Sequence, residues 1–437
     1  MSNQTAFLSP GSRLQTVYSR KPIIVGDLLG GGGQGQVFRI QFEDSFYALK
    51  WYNPHYLTLD PTLQDRLEKS IEAGPPNDQF WWPFELVGDP RAGTFGYLMP
   101  LREPGFETLV DYMRGRVDAN FATMIRASFH LADSFLRLHA KGLCYKDISF
   151  GNVFFHPRNG EIRICDIDNV DVNGRPGAIM GTPGFMAPEV VCGKAGPSTQ
   201  TDLHSLAVML FNILMMGDPL DGQRVSGPLT PQALQALYGS NPLFVFDPDD
   251  DSNRPVAGEQ DQVIARWNIY PKFIRTLFTR AFTIGLRDAL NGRVREGEWR
   301  EGMARLHDAL FPCSHCRGLN FYDREQMLAS GGRLEDCWGC GQQPALPPRL
   351  RLCDSIVMLP PGAQLFSHHL GNHRSYNFTV PLAEISAEPV GMKNLSTEKW
   401  VRKAPDGSFS DVTPGQSALL ENGAKLFFGS VEGDVRM

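Results

Sequence analysis

The chain has 437 residues, of which 42% are hydrophobic and 21% charged, a composition that supports sizeable cores and excludes wholesale disorder. At about 150 residues per domain, this length predicts roughly three domains. The 42 Lys and Arg residues against 48 Asp and Glu residues give a net charge of −6, which argues against a dedicated nucleic-acid-binding or membrane-surface protein.

The sequence also lacks the patterns of a membrane span and of a secretory signal. The longest apolar stretch, near 205–217, is too short to cross a bilayer. The first residues lack the basic start and the apolar run of a signal peptide. We therefore expect a cytoplasmic protein, in which an even number of cysteines is no sign of disulfides.

The predicted elements change from strand-rich to helix-rich and back to strand-rich along the chain. Residues 1–20 are predicted to be a loose polar leader, and 23–49 to form strands around a glycine cluster. The polar stretch 218–262 is typical of inserted loops, and 344–348 of a proline-stiffened linker. From 351 onward, short β-like runs alternate with turns. Apolar residues recur at helical spacing over 62–73, 121–139, 203–216 and 273–282.

The glycine cluster gives the first indication of phosphate chemistry. Gly30, Gly32 and Gly35 match the pattern G-x-G-x-x-G between two predicted strands. Glycine lets backbone N–H groups approach a phosphate closely, although a glycine run can also be a flexible turn. A dinucleotide-binding motif would need a helix after the glycines, but 36–42 is typical of a strand. Lys50 ends the next apolar strand, and by itself it could equally be a surface lysine.

Motifs further along the chain remove that ambiguity. Asp147 and Asn152 keep the spacing D-x-x-x-x-N, which places a catalytic base and a metal ligand in one loop. Asp166 follows nineteen residues after Asp147, and the stretch 181–189 ends in Ala-Pro-Glu. In this order and at these intervals, the motifs resemble the protein kinase family over about 21–311.

The resemblance implies a bilobal fold and a role for each matched residue. Lys50 would hold the α- and β-phosphates of ATP, oriented by a helix carboxylate for which Glu68 is the first candidate and Glu72 the second. Asp147 would accept the proton of the substrate hydroxyl, and Lys50, Asn152 and Asp166 would complete the catalytic set. The expected ATP site comprises Gly30, Gly32, Gly35, Val37, Ala48, Lys50, Glu68, Met99, Asn152 and Asp166, with Asn152 and Asp166 as Mg²⁺ ligands.

Other positions bear on the substrate and on activity. The Ala-Pro-Glu platform and Thr182-Pro183 resemble the serine/threonine-specific type and imply a protein substrate. The usual His-Arg of the catalytic loop is Tyr145-Lys146 here, and the D-F-G glycine is Asp168. These departures keep open a pseudokinase, a scaffold that binds nucleotide and partners without transferring phosphate.

The activation segment has an unusual composition. It contains no Ser, Thr or Tyr over 167–180, so it offers no hydroxyl for an activating phosphate. We expect an ordered segment without phosphorylation, or control by another domain. The resemblance also implies structural roles for Asp202, as anchor of the catalytic loop, and for an ion pair of Glu189 with Arg293, while His139 is expected to pack.

Two C-x-x-C pairs separated by 20 residues follow the kinase-like region. Cys313, Cys316, Cys337 and Cys340 could supply four thiolates, which complete a tetrahedral Zn²⁺ site and leave no open position for catalysis. A redox site would normally use one such pair. The pattern resembles a zinc ribbon over 312–345 with structural Zn²⁺, and the remaining four cysteines are expected to pack.

The last segment, 350–437, resembles a forkhead-associated domain, a β-sandwich that binds phosphothreonine. Asn394 would match the asparagine that binds the peptide backbone, and Ser386 the phosphate-binding serine. The family's Gly-Arg and Ser-x-x-His motifs are missing before them. A β-sandwich that docks on the kinase or on a partner is the alternative.

The domain order as a whole predicts an α+β multidomain chain: a bilobal protein kinase fold, a zinc ribbon with four cysteine ligands and a small all-β sandwich. It resembles the bacterial kinases of tellurite-resistance-associated phosphorylation triads. That resemblance implies a von Willebrand factor A-like protein and a metal-dependent phosphatase as partners. Arginines near the ribbon leave nucleic-acid binding as a third, less favoured interpretation.

Overall fold

The computed structural model describes residues 8–88, 94–175, 180–225, 230–353, 355–371 and 376–437. The chain divides into two compact units. The first comprises residues up to 264 together with 277–300, and the second comprises 265–276 and the chain from 301 onward. Residues 301–311, at the end of the predicted kinase region, lie in the second unit, where Phe311 joins Tyr322 and Met358 in a core.

An antiparallel sheet of six strands forms the beginning of the first unit. Its strands are β1 Arg13–Gln15, β2 Pro22–Gly31, β3 Gly35–Phe42, β4 Ser45–Tyr52, β5 Glu85–Val87 and β6 Gly96–Pro100. Their spatial order is β1-β2-β3-β4-β6-β5. The prediction of a loose leader over 1–20 is wrong for β1, because backbone pairing of Arg13 with Ile24 adds this polar segment to the sheet edge.

Helices make up most of the rest of the first unit, and three of them include residues of the second. They are α1 Pro54–Leu59, α2 Leu63–Ala73, α3 Leu109–Met113, α4 Phe121–Ala140, α5 Pro188–Val191, α6 Thr199–Met215, α7 Pro231–Gln235, α8 Asp261–Ile269, α9 Lys272–Phe282, α10 Ile284–Arg287 and α11 Glu296–Asp308. The three that the units share are α8, α9 and α11. All four helices predicted from apolar spacing are confirmed as α2, α4, α6 and α9.

Side-chain caps explain where the two longest helices begin. Asn120 accepts a hydrogen bond from the backbone N–H of Thr123 at the start of α4. Ser198 and Thr201 form a reciprocal capping box at the start of α6. Nearly every residue of α6 is buried, which makes it the central helix of this part of the unit.

Short strands between the helices carry the loops of the site. They are β7 Glu107–Thr108, β8 Leu143–Cys144, β9 Val153–Phe155, β10 Ile162–Ile164 and β11 Asp171–Val172. Strands β10, β9 and β7 form one small sheet, and β11 pairs with β8 in another. Both sheets therefore hold segments that flank Asp147 and Asp166 in the sequence.

The second unit is rich in strands, as the alternating runs after 351 predict. Its elements are β12 Leu310–Pro312, β13 Leu319–Phe321, α12 Arg324–Ala329, β14 Arg349–Arg351, β15 Ile356–Met358, β16 Gln364–Leu365, α13 Ser367–Leu370, β17 Ala383–Ser386, β18 Gly391–Asn394, β19 Trp400–Lys403, β20 Phe409–Val412, β21 Ser417–Leu419, β22 Lys425–Phe428 and β23 Val431–Arg436. A six-stranded sheet has the order β15-β14-β23-β22-β19-β20, and a four-stranded sheet the order β16-β17-β18-β21. Their buried side chains, including Leu350, Ile385, Trp400 and Leu426, form one core. Within the described part of the chain, no helix is both long and apolar enough to span a membrane.

Candidate active site and metal centre

The glycine cluster forms the hairpin between β2 and β3, as the spacing predicts. Gly32 donates its N–H to the carbonyl of Gly35 across this hairpin, at 2.9 Å. Gly35 has a packing reason to be glycine, because an added Cβ would lie 2.2 Å from the carbonyl oxygen of Trp51. Around Gly30 and Gly32 an added Cβ would meet nothing within 4 Å, so these two glycines leave open space for a ligand.

A cavity of about 720 Å³ lies beside this hairpin. Among its lining residues are eight of the predicted ATP-site residues: Gly30, Gly32, Gly35, Val37, Ala48, Lys50, Met99 and Asp166. Trp81 and Phe154 add aromatic surface that the sequence interpretation did not assign to the site. Phe154 follows Asn152 by two residues in β9, so strand alternation after the D-x-x-x-x-N motif could have indicated it. Apolar and glycine-rich walls of this kind suit a flat base and a phosphate chain.

Lys50 lies at the polar end of this cavity and is only 5% exposed. Its Nζ donates to both carboxylate oxygens of Asp168, at 2.8 and 3.0 Å, to Oδ1 of Asp166 at 3.2 Å and to Oε1 of Gln34 at 2.8 Å. Burial lowers the pKa of Lys50, but the two carboxylates outweigh it and raise the pKa above its usual value. The lysine is therefore held as a cation in the site.

The predicted contact of Lys50 with Glu68 is not formed. Helix α2 buries Leu63, Arg66, Leu67 and Ser70, and the helical period turns Glu68 away from that face. Glu68 is exposed and accepts a hydrogen bond from Gln64 at 2.7 Å. The runner-up, Glu72, is exposed as well.

Asp147 lies in the loop after β8 and is held by side chains from three segments. Its Oδ1 accepts a hydrogen bond from the hydroxyl of Thr182 at 2.6 Å. Its Oδ2 is 3.4 Å from the amide nitrogens of both Asn152 and Asn169. This carboxylate is partly exposed, and the three donors described around it are neutral, which suits a group that has to take up a proton.

The backbone before Asp147 is anchored by a buried carboxylate. Asp202, at the start of α6, accepts the N–H groups of Tyr145 at 2.6 Å and Lys146 at 3.0 Å. Lys146 has a φ of 71°, a left-handed conformation that costs energy for a residue with a side chain. The two hydrogen bonds to Asp202 hold it in place.

The residues predicted to bind Mg²⁺ offer suitable oxygen ligands. Asn152 donates its side-chain amide to the carbonyl of Asp147 at 2.9 Å, so its Oδ1 is the atom suited to a cation. Asp166 lines the cavity and has a side chain that is 38% exposed. Burial raises the pKa of Asp166, Lys50 lowers it and Asp168 raises it, with a net increase. A carboxylate and an amide oxygen near a phosphate site are the hard ligands that Mg²⁺ takes in proteins.

A buried ion pair connects the catalytic loop to the activation segment. Lys146 Nζ lies 3.0 Å from Asp171 Oδ2, and both side chains are at most 5% exposed. The predicted pair of Arg293 with Glu189 is also formed, at 2.8 Å. Both contacts fix segments on either side of Thr182, so the described part of the activation segment is held by ion pairs.

The four paired cysteines meet in the second unit. The Sγ atoms of Cys313 and Cys340 are 3.9 Å apart, and those of Cys316 and Cys337 are 3.6 Å apart. All four sulfurs lie within 4.8 Å of one another, and Zn–S bonds of about 2.3 Å in a tetrahedron place sulfurs about 3.8 Å apart. The thiol set therefore fits a tetrahedral Zn²⁺ ion.

Hydrogen bonds to sulfur favour thiolates at this centre. Asn320 Nδ2 and the backbone N–H groups of His315 and Gly318 each lie 3.4 Å from a cysteine sulfur. Burial raises the pKa of Cys337, but the Asn320 amide and backbone N–H groups lower it to about 6. At Cys340 the backbone of Gln342 lowers the pKa, but burial and the three neighbouring thiols outweigh it and raise the pKa to about 12, so the four sulfurs share one site in which a first thiolate forms easily at Cys337. Cysteine binds a metal ion as the thiolate, so these N–H donors and the tetrahedral spacing of the sulfurs both favour a metal site.

The two phosphothreonine-site candidates of the last segment have internal partners. Asn394 is fully buried, and its amide donates to the carbonyls of Glu398 at 2.8 Å and Val412 at 3.0 Å. Ser386 donates to the carbonyls of Pro389 at 2.8 Å and Gly391 at 3.2 Å. Both side chains thus connect turns within the unit; Asn394 is buried, and Ser386 is half-buried.

Comparison with known proteins agrees with the geometry of the first unit. The protein kinase domain family matches residues 107–241. The protein is 26% identical over 250 residues to protein kinase C delta type of Mus musculus, which covers 53% of this chain and 36% of that protein. It is 25% identical over 321 residues to the DNA damage-responsive serine/threonine-protein kinase RqkA of Deinococcus radiodurans, which covers 69% of this chain and 46% of that protein.

A third relative, the probable serine/threonine-protein kinase CCRP1 of Zea mays, is 28% identical over 155 residues, or 31% of this chain and 24% of its own length. The chain thus spans less than half the length of these curated relatives. The family match and the relatives together support a serine/threonine protein kinase.

Proposed function

We propose that this chain is an ATP- and Mg²⁺-dependent serine/threonine protein kinase that transfers the γ-phosphate of ATP to a hydroxyl of a protein. One observation carries the proposal. Lys50 and Asp166, which are 116 positions apart in the sequence, are in contact on the wall of the glycine-lined cavity. A cation and a carboxylate in such a place suit the binding of a metal-bound phosphate chain.

Each residue of the site would have a separate role in the reaction. The cavity walls hold the nucleotide, and Lys50 binds its α- and β-phosphates. The substrate oxygen attacks the γ-phosphorus, the bond to the ADP oxygen breaks, and Asp147 takes up the hydroxyl proton. Thr182 donates to Oδ1 of Asp147 at 2.6 Å, whereas the Asn152 and Asn169 amides approach Oδ2 only to 3.4 Å, so Oδ2 would be the oxygen that takes up the proton. Mg²⁺, held by Asn152 and Asp166, would neutralise charge on the phosphates.

A phosphate-transfer assay tests this function against the pseudokinase alternative. Purified protein is incubated with γ-labelled ATP, Mg²⁺ and a generic protein substrate. We expect the wild type to label itself or the substrate, and Asp147→Asn to reduce the rate by about 100- to 10,000-fold. Asp44→Asn, an equivalent change in the exposed turn between β3 and β4, serves as the matched control with unchanged activity. If neither the wild type nor Asp147→Asn transferred labelled phosphate, while both still bound ATP, the chain would be a pseudokinase scaffold.

The remaining modules are proposed from their residues and from the domain order. The four cysteines would hold a structural Zn²⁺ as a zinc ribbon. The two sheets of the second unit suit a forkhead-associated-like β-sandwich, but the internal hydrogen bonds of Asn394 and Ser386 favour a docking module over a phosphothreonine reader. A von Willebrand factor A-like protein and a metal-dependent phosphatase are the partners that the domain order suggests.

A further inference from the structure

We infer that Asp168 replaces the usual helix carboxylate as the residue that positions Lys50 for the phosphates of ATP. The inference rests on the proposed kinase function and concerns the same site. It assigns a role to the residue that stands where the family has a glycine. Asp168 is a positioning residue in this scheme, because it acts through Lys50.

The contacts of Asp168 are those of a dedicated partner. Both of its carboxylate oxygens accept from Lys50 Nζ, at 2.8 and 3.0 Å, and Tyr52 donates its hydroxyl to Oδ2 at 3.0 Å. The Asp168 side chain is only 1% exposed. The Lys50 ammonium and the Tyr52 hydroxyl together offset the cost of burying the Asp168 charge. Removal of either Lys50 or Asp168 would leave the other as an unpaired buried charge.

Asp168 also lies behind Lys50 and not on the wall of the cavity. Lys50 and Asp166 are among the described residues that line the cavity, and Asp168 is not. The carboxylate can therefore hold Lys50 without itself facing the phosphates or their cation. Asp166, with one contact to Lys50 at 3.2 Å and a 38% exposed side chain, stays turned towards the ligand.

Helix α2 supports the turn that carries Asp168 and contributes a cation instead of a carboxylate. Arg66, on the buried face of α2, donates to the backbone carbonyl of Asp168 at 3.0 Å. Its guanidinium also pairs with both oxygens of Asp60, at 3.0 and 2.7 Å. The inward position of α2 is thus occupied by a fixed guanidinium, and Glu68 would have to displace it to reach Lys50.

The position of Asp168 couples two parts of the site. Asp166 and Asp168 belong to one short turn, in which residues 167–169 are helical. The lysine that binds phosphate and the carboxylate proposed to bind the cation are therefore oriented by the same turn. The carboxylate that pairs with Lys50 therefore comes from this turn and not from α2.

Three variants test this role: Asp168→Asn, Glu68→Gln and Lys50→Met. Initial rates measured against ATP concentration give kcat and KM separately, and thermal unfolding reports the folded fraction. We expect Asp168→Asn to lower kcat/KM for ATP by about 100-fold through misplacement of Lys50, with KM itself raised. A purely structural defect would reduce the active fraction and leave KM unchanged. Glu68→Gln, an exposed change of the same chemical type, should stay within about twofold of the wild type.

A double variant shows whether Asp168 acts through Lys50. Lys50→Met combined with Asp168→Asn should be no slower than Lys50→Met alone, because residues acting as a unit are not additive. The inference is overturned if the double variant loses the product of the two single reductions in kcat/KM, or if Asp168→Asn keeps wild-type kcat and KM. It is also overturned if Glu68→Gln lowers kcat/KM as much as Asp168→Asn does.

A binding measurement separates this inference from the proposed function. If the wild type transfers no phosphate, the kinase proposal fails, and calorimetric titration with Mg²⁺ and ATP decides the role of Asp168. Equal weakening of ATP binding in Asp168→Asn and Lys50→Met, with Glu68→Gln unchanged, would support it. Wild-type affinity in Asp168→Asn would overturn it.

Discussion

The imidazole of His139 lies between the carboxylates of Asp202 and Glu296 and contacts both, with its Nε2 3.1 Å from Asp202. Burial lowers the pKa of His139, but hydrogen bonds to the two carboxylates outweigh it and raise the pKa from 6.5 to about 9. His139 is thus a charged bridge that joins α4 to α6 and α11. It packs inside the unit, as the sequence suggests, and orders the Asp202 anchor of the catalytic loop.

This bridge predicts a stability that depends on pH. A histidine whose pKa is raised on folding stabilises the protein fully below pH 6.5, and loses the effect as pH rises towards 9. We expect His139→Gln to lower the free energy of unfolding by on the order of 2 to 3 kcal/mol near pH 6. The difference between wild type and variant should shrink at pH 9.5, measured by urea unfolding at several pH values.

His130, on the same helix, provides the control for this prediction. Burial lowers the pKa of His130 to about 4, so it is neutral in the folded state across the range from 6.5 to 9. A His130→Gln variant should show no change in its stability difference between about pH 7.5 and 9.5, where this imidazole is neutral in the folded and in the unfolded chain. An unfolding difference for His139→Gln that is constant from pH 6 to 9.5 would contradict the charged bridge.

At the scale of elements, the catalytic loop and the activation segment are joined without a phosphate. Lys146 stands where the protein kinases that this chain resembles carry the catalytic-loop arginine, and Asp171 supplies its anion from β11. In phosphorylated kinases, a phosphate on a hydroxyl side chain supplies this negative charge. Here the charge is part of the sequence, in agreement with the lack of Ser, Thr and Tyr over 167–180.

Activity is therefore expected to be independent of phosphorylation in this segment. Mass spectrometry should find no phosphate on 167–180, and phosphatase treatment should leave the rate of substrate labelling unchanged. Asp171→Asn should reduce activity and destabilise the first unit, because breaking a buried ion pair costs about 3 to 5 kcal/mol. Asp65→Asn, which removes an exposed partner of Arg175, should have little effect. Loss of activity on phosphatase treatment would point to a phosphate elsewhere, such as on Thr182.

Some elements of the site can be predicted from the sequence, and others cannot. The glycine hairpin and the Asp147 loop are set by local spacing, and the structure places them as expected. The partner of Lys50 depends on the rotation of α2 about its axis and on a contact 118 positions away. Leu63 and Leu67, at helical spacing, could have shown that Glu68 faces outward. Strand β1 was missed because backbone pairing leaves no side-chain pattern in a polar segment.

At the scale of the whole molecule, the segment that carries the paired cysteines differs from the first unit in how it is stabilised. The first has extensive cores around its sheet and around α6. The segment that carries the cysteines, by contrast, has a small buried core of Phe311, Tyr322 and Met358. A core of this size supplies little hydrophobic stabilisation, and small segments of this kind usually depend on a metal or on disulfides. All eight cysteines are free thiols, and the sulfurs of four of them lie within 4.8 Å of one another, a spacing that fits a tetrahedral Zn²⁺ ion.

Metal removal should therefore loosen this segment selectively. We expect about one zinc per chain by elemental analysis, since four thiolates hold one tetrahedral ion. Cys337→Ser should abolish zinc binding and increase hydrogen exchange over 310–345, because metal binding and folding are coupled at such sites. Cys353→Ser, at an exposed cysteine outside the cluster, should keep both zinc and protection. Full protection over 310–345 in zinc-free Cys337→Ser would mean that the apolar core suffices, and that the four thiols have another role.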